Sequence, residues 1–500
     1  MGYVEGKSRY QTKMICLDEY VGRESKARII DKFIDGLDLE ELGFKHAVPK
    51  GLGRNPYDPA SMAKLLVYGY EYSVRSSRRL EGQTYVNIEV MWLLDELKPD
   101  FKTIADFRKD NLEPLTKLLE EYNAFADYCG LFGKERVAID GTKIKASNNK
   151  KNNYSKKKLV RNIEHSEQRI KEYMAHLAES DDLDEACEMV DKINECEKRI
   201  ETAKNRLDIL EKSGENEMST VDSDARLMGN NRSGVDVAYN VQITVDDKAH
   251  LVPAFDITQN PDDHGQLSNM TEKTQEVFRK KDITALADKG YYGGDDIEAT
   301  DNLGATPIVA RQLKPGEKEG SLYSRDKFVY DKDKDEYICP EGKTLPAHSK
   351  NTAKDRLFFN KNACLACPVR NKCLGKEKFR RIVRKPNNDV LDRADKRYAE
   401  NKDQYKLRQQ TVEHVFGTIK QTMNGRYFLL RTKGKVKTEV ALLLLGYNIK
   451  RTTNYLGYER IMELLEEWEA FLRNNMAYNL YFLMHTCIAR LFEKSLVAVA

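Results

Sequence analysis

The order of strand and helix signals between residues 136 and 311 constrains the fold of this chain more than any other feature. It begins with RVAIDGTKIKA at 136–146, where apolar and polar residues alternate, and predicts two strands joined near Asp140-Gly141. The later signals are a strand pair over 236–260 with a turn at Asp246-Asp247, a helix from about Asp263 to Lys280, a strand ending at Asp288, a helix, and a strand at 306–311. This order predicts a mixed α/β sheet with helices packed on it.

Segments with other patterns flank this α/β region. Residues 1–130 carry apolar residues at helical spacing and predict an N-terminal helical domain, either a module that binds DNA ends or a plain bundle with a basic turn. Residues 315–400 are charged and loop-rich, and residues 456–500 predict a helical tail with an apolar patch. We therefore expect a helical domain, an interrupted α/β domain over 131–455, and the tail.

A seven-residue repeat marks one interruption of the α/β domain. Two sets of apolar residues recur at this spacing on either side of the acidic break SDDLDEA, namely Ile163, Ile170 and Leu177, and Ile193, Ile200 and Leu207. The repeat predicts an antiparallel helical hairpin inserted over 150–215, packed on itself like a coiled coil. The alternative is a pair of ordinary surface helices.

Two aspartates follow apolar strands, where a sheet would hold them and the next loop would leave them open. Asp140 follows VAI and Asp288 follows ALA, although an aspartate after a strand is usually a turn former. A third carboxylate, Glu413, lies in a predicted helix with Lys420 about 20° away on the same face, which is ordinarily a surface ion pair. Converging carboxylates can hold two divalent ions about 4 Å apart and so act on a phosphate.

Together these motifs resemble the DDE transposases of bacterial insertion sequences, whose catalytic core is RNase-H-like. The likeness covers about residues 1–455. It is carried by Ile139-Asp140-Gly141-Thr142, by Ala287-Asp288-Lys289-Gly290-Tyr291, by a helix with Tyr405, Arg408, Glu413 and Lys420 that is similar to the family's Tyr-Arg-Glu-Lys signature, and by SSRRLE at 76–81, PDFKTIADFR at 99–108, AYNVQITVD at 238–246 and DITQNPDDH at 256–264.

The resemblance implies a fold, a chemistry and partners. The carboxylates of Asp140, Asp288 and Glu413 would converge within about 8 Å and hold two Mg²⁺ (or Mn²⁺) ions. One ion would activate water to cut a strand at the transposon end, and the freed 3′-hydroxyl would attack target DNA, with Lys420 on phosphate. The partners would be the terminal repeats and target DNA, bound by a homodimer.

The signature departs from the family at one position. Arginine usually stands four residues before the glutamate, but Gln409 is at that position and Arg408 is five residues before. On an ideal helix this turns Arg408 about 140° from Glu413 instead of about 40°. Either the helix begins nearer to Glu413, or Arg408 does not make the family's phosphate contact. Tyr405 and Arg408 are nevertheless candidates for DNA contact.

Four of the nine cysteines form a group with the spacing Cys339-x24-Cys364-x2-Cys367-x5-Cys373. Four thiolates suit tetrahedral Zn²⁺ and leave no open position, so the pattern predicts a structural, zinc-ribbon-like insertion with metal–sulfur distances of about 2.3 Å. A metal would stabilise a segment that lacks an apolar core of its own. A redox pair or free thiols are the alternative. Many transposases of the resembling branch have a similar cluster.

Basic residues are clustered, although 83 Lys and Arg against 80 Asp and Glu leave a net charge of only +3. Residues 143–161 contain eight Lys or Arg and no acid, and residues 369–385 contain eight against one Glu. Solvated loops are the usual explanation, but clusters beside the carboxylates favour salt-sensitive phosphate contact. The candidate DNA contacts in these two clusters are Lys156, Lys157, Lys158, Arg380 and Arg381.

An aromatic platform would be needed if a base is flipped out during end cleavage. Neither Trp92 nor Trp468 lies between Asp140 and Lys420, and Tyr291, three residues after Asp288, is the candidate. The alternative is that Tyr291 packs under the sheet edge.

Two other functions stay open at this point. The chain could be an RNase-H-like nuclease without strand transfer, or a zinc-stapled DNA-binding protein without catalysis. The N-terminus lacks the pattern of a signal peptide, and the apolar stretch between Arg473 and Arg490 is short of a membrane span. We therefore expect a cytoplasmic, nucleoid-associated protein with no membrane partner.

Overall fold

The computed structural model describes residues 14, 16–48, 55–179, 182–230, 234–311, 323–348, 355–374 and 377–474. The predicted C-terminal apolar patch lies outside these residues, as do parts of the predicted 315–400 segment. The helices are α1 Leu17–Tyr20, α2 Lys26–Asp35, α3 Pro59–Glu71, α4 Ser77–Val86, α5 Ile88–Leu93, α6 Phe101–Asp110, α7 Leu112–Tyr128, α8 Lys156–Glu179, α9 Leu183–Ser213, α10 Gln266–Phe278, α11 Gly294–Asn302, α12 Lys361–Leu365, α13 Arg370–Cys373, α14 Asn388–Glu400, α15 Lys402–Gly417 and α16 Lys433–Leu456. Residues 458–474 are also helical.

The strands lie in one large sheet and three small ones. They are β1 Arg136–Lys145, β2 Asn153–Ser155, β3 Glu217–Ser219, β4 Arg226–Asn230, β5 Gly234–Asp246, β6 Ala254–Thr258, β7 Thr284–Ala287, β8 Thr306–Val309, β9 Val329–Asp331, β10 Glu336–Ile338, β11 Thr344–Pro346, β12 Arg356–Phe359 and β13 Arg381–Arg384.

Helices α1 to α7 form the N-terminal helical part, and local signals explain where its helices begin. α2 and α3 follow Ser25 and Asp58, whose side chains accept hydrogen bonds from the N–H groups of Ala27 and Ala60. α3 is buried along most of its length because α2, α5 and α16 pack around it. α16, which the sequence pattern placed with the α/β part, also packs on α7 and so completes the helical part.

A buried ion pair ties the helical part to the loop before α16. Arg75 Nη1 lies 2.9 Å from Glu439 Oε1, and these side chains are 2% and 0% exposed. Arg75 also donates to the carbonyl of Tyr427 (3.0 Å), and Glu439 accepts from the N–H groups of Leu429 and Leu430. The pair therefore fixes the chain that connects the α/β part to α16.

The large sheet is mixed, as predicted, and its order is β4-β5-β1-β7-β8 with β6 also paired to β5. β1 is antiparallel to β5 and parallel to β7, which in turn is parallel to β8. The parallel pairing aligns Ile139 with Ala287. The next residue of each strand is an aspartate, so Asp140 and Asp288 lie at the same edge of the sheet.

β1 corrects the predicted turn at Asp140-Gly141. The chain stays extended there, and Asp140 pairs with Ile243 and Gly141 with Gln242 on β5. Glycine is needed for space, because a Cβ on Gly141 would lie 2.2 Å from Gln242 Nε2 and 2.6 Å from Asp263 Oδ1. The Asp-Gly pair therefore reflects a close approach of side chains from other segments and not a reversal of the chain.

α8 and α9 pack mainly on each other. Leu159 at the start of α8 shares a buried cluster with Ala203 and Leu210 near the end of α9, so the two helices run antiparallel. The short strands β2 and β3 pair at the base of the two helices.

We expect that replacing residues 160–209 by a short Gly-Ser linker leaves the rest of the protein folded, because the buried contacts of these helices are largely internal. Thermal unfolding followed by circular dichroism should show a cooperative transition within about 4 °C of that of the full chain, the effect of roughly 1 kcal/mol. Aggregation or loss of the cooperative transition would show that the hairpin supports the core.

The cysteine-containing segment has a small apolar core, contrary to the expectation that it lacks one. β9 to β11 form one small sheet, and β12 with β13 forms another. The residues buried between them are Phe328, Tyr337, Leu345, Phe358 and Ile382. A structural metal is therefore not the only source of stability in this segment.

Among the described residues, no helix is both long and apolar enough to cross a membrane.

Candidate active site

Asp140 lies in the middle of β1, and its carboxylate is largely withdrawn from water. Its Oδ1 accepts a hydrogen bond from the Gly141 N–H (2.9 Å), and its Oδ2 lies 3.7 Å from Arg408 Nη1. Burial raises the pKa of Asp140 to about 6; the Arg408 guanidinium opposes this rise, and the charges of Asp288 and Asp263 add to it. The strand thus holds a carboxylate whose negative charge is poorly compensated.

Asp288 directly follows β7 and is held by the turn that it begins. Its Oδ1 accepts a hydrogen bond from the Gly290 N–H (2.6 Å) and caps the single 3₁₀ turn at Lys289–Tyr291. Because β1 and β7 are parallel neighbours, the carboxylates of Asp140 and Asp288 face each other closely enough to interact electrostatically. The structure therefore brings together two of the three predicted carboxylates.

A third aspartate at this edge, Asp263, was not singled out as a site residue in the sequence. It follows β6, and its Oδ1 accepts hydrogen bonds from Gln242 Nε2 (2.7 Å) and Asn240 Nδ2 (2.9 Å) on β5. Its signal was present in DITQNPDDH, which carries part of the resemblance. A loop position has no periodicity, however, so only the folded sheet shows that Asp263 lies beside Gly141.

α15 packs on β1, and α15 together with the π-helical turn Thr418–Thr422 that follows it brings three residues of the predicted signature to the acidic edge. Arg408 pairs with Asp140, and Lys420 Nζ donates a hydrogen bond to Thr142 Oγ1 on β1. Burial raises the pKa of the half-buried Tyr405, with the charge of Asp288 contributing, so Tyr405 lies near that carboxylate. Arg408 thus faces the site although the helix does not begin near Glu413.

Glu413 lies on α15 but faces solvent. Its Oε1 accepts a hydrogen bond from Gln409 Nε2 (2.7 Å) one turn earlier on the same helix. α15 is continuous over Lys402–Gly417. Because Arg408 faces Asp140, Glu413, five residues later, lies about 140° around the helix axis from the face that points to the sheet. The convergence of all three carboxylates stays a prediction.

Tyr291 corrects the expectation of a base-stacking platform. The side chain is 0% exposed, and its hydroxyl donates a hydrogen bond to Gln242 Oε1 in the middle of the sheet. Neither face of the ring is open to a base, because the ring packs with Leu267, Met270 and other core residues. Tyr291 therefore packs under the sheet edge, which was the alternative.

The first basic cluster contains lysines that are open to solvent and one lysine that hydrogen-bonds to the backbone of the protein itself. Lys157 is exposed and Lys156 is partly exposed at the start of α8. Lys158 Nζ instead donates to the backbone carbonyls of Lys151 (3.0 Å) and Asn153 (2.6 Å). Lys158 thus stabilises the chain that leads into α8. Of the three lysines it is the one whose predicted DNA contact has the least structural support.

The second basic cluster divides in the same way. Arg380 lies over the ring of Phe328 (5.1 Å from guanidinium carbon to ring centroid) and lines the cavity between the cysteines. Arg381 is exposed and pairs with Glu377 at 3.2 Å. Arg381 is therefore open to a DNA phosphate, whereas Arg380 is partly committed to the small core.

The four clustered cysteines, all free thiols, surround one cavity of about 40 Å³. The N–H of Lys343 donates to Cys339 Sγ at 3.3 Å, in the tight turn after β10. Burial raises the pKa of the Cys373 thiol, and the other three thiols contribute, so the four side chains are neighbours. In the part of the chain that the structure describes, however, no three or more His, Cys, Asp or Glu side chains are arranged to hold a metal ion.

The mixed sheet with two aspartates at one edge defines an α/β protein with an acidic site at that edge. Residues 338–453 match the family described as Transposase DDE domain, and residues 15–110 match the family described as Transposase domain (DUF772). These matches support the assignment of this chain to the insertion-sequence DDE transposases. Each covers less than half of the chain, and neither includes Asp140 or Asp288. No curated protein and no solved structure matches the chain.

Proposed function

We propose that this transposase cleaves DNA strands at the ends of an insertion sequence and joins the freed ends to target DNA. The observation that carries the proposal is the pair of carboxylates on parallel neighbouring strands, Asp140 and Asp288, with α15 packed across them. Glu413, on the same helix, is proposed as the third carboxylate. Its Cα lies about 7.5 Å along the helix axis and about 140° around it from that of Arg408, which lies 3.7 Å from Asp140, so the Glu413 carboxylate would have to turn toward the edge.

The sheet supports an RNase-H-like core. Counted from one side, the strands run β6-β5-β1-β7-β8, with the first three antiparallel to one another and the last three parallel. This is the mixed arrangement expected from the sequence resemblance. The helical hairpin and the cysteine-containing segment interrupt this core without adding strands between β1 and β7.

Carboxylate oxygens are the ligands that a hard divalent cation prefers, although the carboxylates at the acidic edge, like the four cysteines, are not arranged as a metal site as they stand. The Arg408 guanidinium lies 3.7 Å from Asp140 Oδ2, and the pKa of Asp140 is raised mainly by burial, with the charge of Asp288 adding to the rise. DDE transposase domains in general use divalent metal ions. We propose that Asp140, Asp288 and Glu413 hold two Mg²⁺ ions, which would supply an activated nucleophile and stabilise charge at the scissile phosphate.

The basic residues of α15 would bind and orient the DNA. Arg408 has a buried Nε without a hydrogen-bond partner, and its Nη1 lies 3.7 Å from Asp140 Oδ2, so the guanidinium can turn to a phosphate oxygen. Lys420 lies in the turn that follows α15, beside Thr142. The two cations would hold one strand across the acidic edge, with the site otherwise positioning and neutralising charge.

Cleavage and joining of DNA test the proposal directly. A duplex with the sequence that flanks the gene, labelled at one end, should be nicked in Mg²⁺ but not in EDTA. A precut duplex with a free 3′-hydroxyl should then be joined to a plasmid. Nicking without joining would favour the nuclease, and DNA binding with neither reaction would favour a non-catalytic protein.

We also propose that two copies act together on DNA. An insertion sequence has two ends, and each copy would supply one Asp140–Asp288 site. Light scattering of the complex with end-containing duplex should give two chains per pair of ends. A complex with one chain on paired ends would contradict this.

We further propose that Cys339, Cys364, Cys367 and Cys373 bind one structural Zn²⁺ ion. The cavity that they share and the N–H bond to Cys339 Sγ support the proposal. A small movement of the four side chains is needed, since they are not arranged as a metal site as they stand.

Purified protein is expected to contain about one zinc per chain by elemental analysis. Cys367→Ser should lose the zinc and destabilise the segment, whereas Cys187→Ser, at an exposed cysteine on α9, should keep it. The apolar core of the segment should keep the variant partly folded, so the expected loss is confined to about 2–4 kcal/mol and not complete unfolding. Wild-type protein without zinc would contradict the proposal.

A further inference from the structure

Asp263 lies beside Gly141 on β1 and beside the turn that follows Asp288. A Cβ on Gly141 would lie 2.6 Å from its Oδ1, and a Cβ on Gly290 would lie 3.4 Å from its Oδ2. The Asp263 carboxylate therefore lies close to both the residue after Asp140 and the turn after Asp288.

A hydrogen-bonded chain fixes this carboxylate to the core. Asp263 Oδ1 accepts from Asn240 (2.9 Å) and Gln242 (2.7 Å), and Gln242 Oε1 accepts from the Tyr291 hydroxyl. Asn240, Gln242 and Tyr291 are at most 1% exposed. The chain thus joins the loop after β6, the middle of β5 and the turn that follows Asp288.

Such a network is costly in the middle of a sheet. Gln242 lies between Val241 and Ile243, both buried, and an apolar residue would fit there without any need for partners. Every member is hydrogen-bonded, so the network is rigid, and it ends at the acidic edge and not at an arbitrary surface. Polar groups behind metal ligands orient those ligands.

We propose that Asp263 is a positioning residue of the acidic site, acting with Gln242 and Tyr291. Its carboxylate holds Gly141 and Gly290 at a fixed separation, and so sets the distance between the carboxylates of Asp140 and Asp288. It also places a third negative charge at the edge, which favours a divalent cation over a monovalent one. This inference rests on the proposed function and extends it to residues outside the three carboxylates.

Direct Mn²⁺ titration by calorimetry and Mg²⁺-dependent nicking test the proposal on the full chain. Asp263→Ala removes the contact, Asp263→Asn keeps an acceptor for Gln242 and Asn240 but removes the charge, and Tyr291→Phe cuts the chain at its other end. Asp262→Asn, at the exposed neighbour, is the matched control. Circular dichroism and thermal unfolding check that each variant folds.

We expect Asp263→Ala and Tyr291→Phe to weaken Mn²⁺ binding and to raise the Mg²⁺ concentration for half-maximal nicking by about 10- to 100-fold. The Mn²⁺ affinity and Mg²⁺ requirement of Asp263→Asn should lie between those of these two variants and those of the wild type. Asp262→Asn should have the wild-type affinity and Mg²⁺ requirement. If Asp263→Ala does not fold, Tyr291→Phe, which loses only a hydroxyl, carries the test.

The two proposals fail in different ways. Wild-type Mn²⁺ affinity and nicking in both Asp263→Ala and Tyr291→Phe would overturn the positioning role and leave the proposed function intact. A wild-type protein that neither binds Mn²⁺ nor nicks DNA would overturn both. A loss of stability with unchanged Mn²⁺ affinity would show that the network is only structural, which also overturns the positioning role.

Discussion

Asp140→Asn is expected to abolish strand cleavage and, in the absence of metal, to make the protein more stable. Removing one ligand of a two-ion site should cost several kcal/mol of transition-state stabilisation, so nicking should fall by about 10³-fold or more. Stability should rise because the folded protein holds an ionised carboxylate that burial disfavours. We expect a gain of about 1–2 kcal/mol in EDTA at pH 8, reduced by the partner that Arg408 loses.

The pH dependence of this gain follows from the direction of the shift. The pKa of Asp140 is raised from 3.8 to about 6 on folding, so the folded state binds the proton more tightly than the unfolded state. The contribution of Asp140 to wild-type stability therefore falls as pH rises from about 4 to about 6 and stays lowered above that range. The gain from Asp140→Asn should be absent at pH 4 and complete at pH 7.

Chemical denaturation in EDTA and in Mg²⁺ measures both effects. Mg²⁺ should stabilise the wild type and not the variant, because only the wild type binds the ion tightly in the folded state. Asp106→Asn, at an exposed position on α6, should change neither stability nor cleavage. An Asp140→Asn protein that is less stable than the wild type in EDTA at pH 8 would contradict the electrostatic account of this site.

Breaking the buried pair of Arg75 and Glu439 is expected to have the largest effect on stability. Arg75→Met should cost about 3–5 kcal/mol, because it leaves Glu439 buried, at 0% exposed, without its ion-pair partner. The double variant Arg75→Met with Glu439→Gln should regain part of this loss. Urea unfolding of the single and double variants measures the coupling.

The same pair gives a second test through pH. Burial raises the pKa of Glu439, and the Arg75 guanidinium opposes this rise, so removing Arg75 should raise that pKa further. The raised pKa means that stability is lost as pH rises, and the penalty of Arg75→Met should be larger at pH 8 than at pH 5. Arg460→Met, in an exposed pair with Glu463, is the control and should cost less than about 0.5 kcal/mol. Equal costs for both arginines would contradict the buried-pair account.

The sheet could be predicted from sequence where a strand has a simple pattern and a clear end. β7 is a short apolar run that ends before Asp288, β8 is another short apolar run, and β5 ends at Asp246, where the sequence predicts a turn. β1 was predicted as two strands because Asp-Gly is a common turn pair, while the close packing of Gln242 against Gly141 is visible only in the fold. The packing of α16 on α3 has no local signal either, since both helices bury several faces.

The site could be predicted as far as strand ends and helix phase allow. Asp140 and Asp288 follow apolar runs, and the parallel pairing of their strands brings them together. The five-residue spacing correctly predicts that Arg408 and Glu413 lie on different faces of α15. It does not predict which of the two faces the sheet, because that depends on where Val412 and Val415 are buried. Tyr291 is aromatic and near a carboxylate, and only its burial excludes a stacking role.

The measurement that tests the central claim most directly is Mg²⁺-dependent cleavage of end-containing DNA by Glu413→Gln. Glu413 is exposed and bonds only to Gln409 among its described contacts, so the substitution should leave the unfolding free energy within about 0.5 kcal/mol of the wild type. Glu400→Gln, at an exposed glutamate on α14, is the matched control and should cleave like the wild type. If Glu413 is the third carboxylate, cleavage should fall by about 10³-fold or more with the fold intact. Wild-type cleavage by Glu413→Gln would contradict the account.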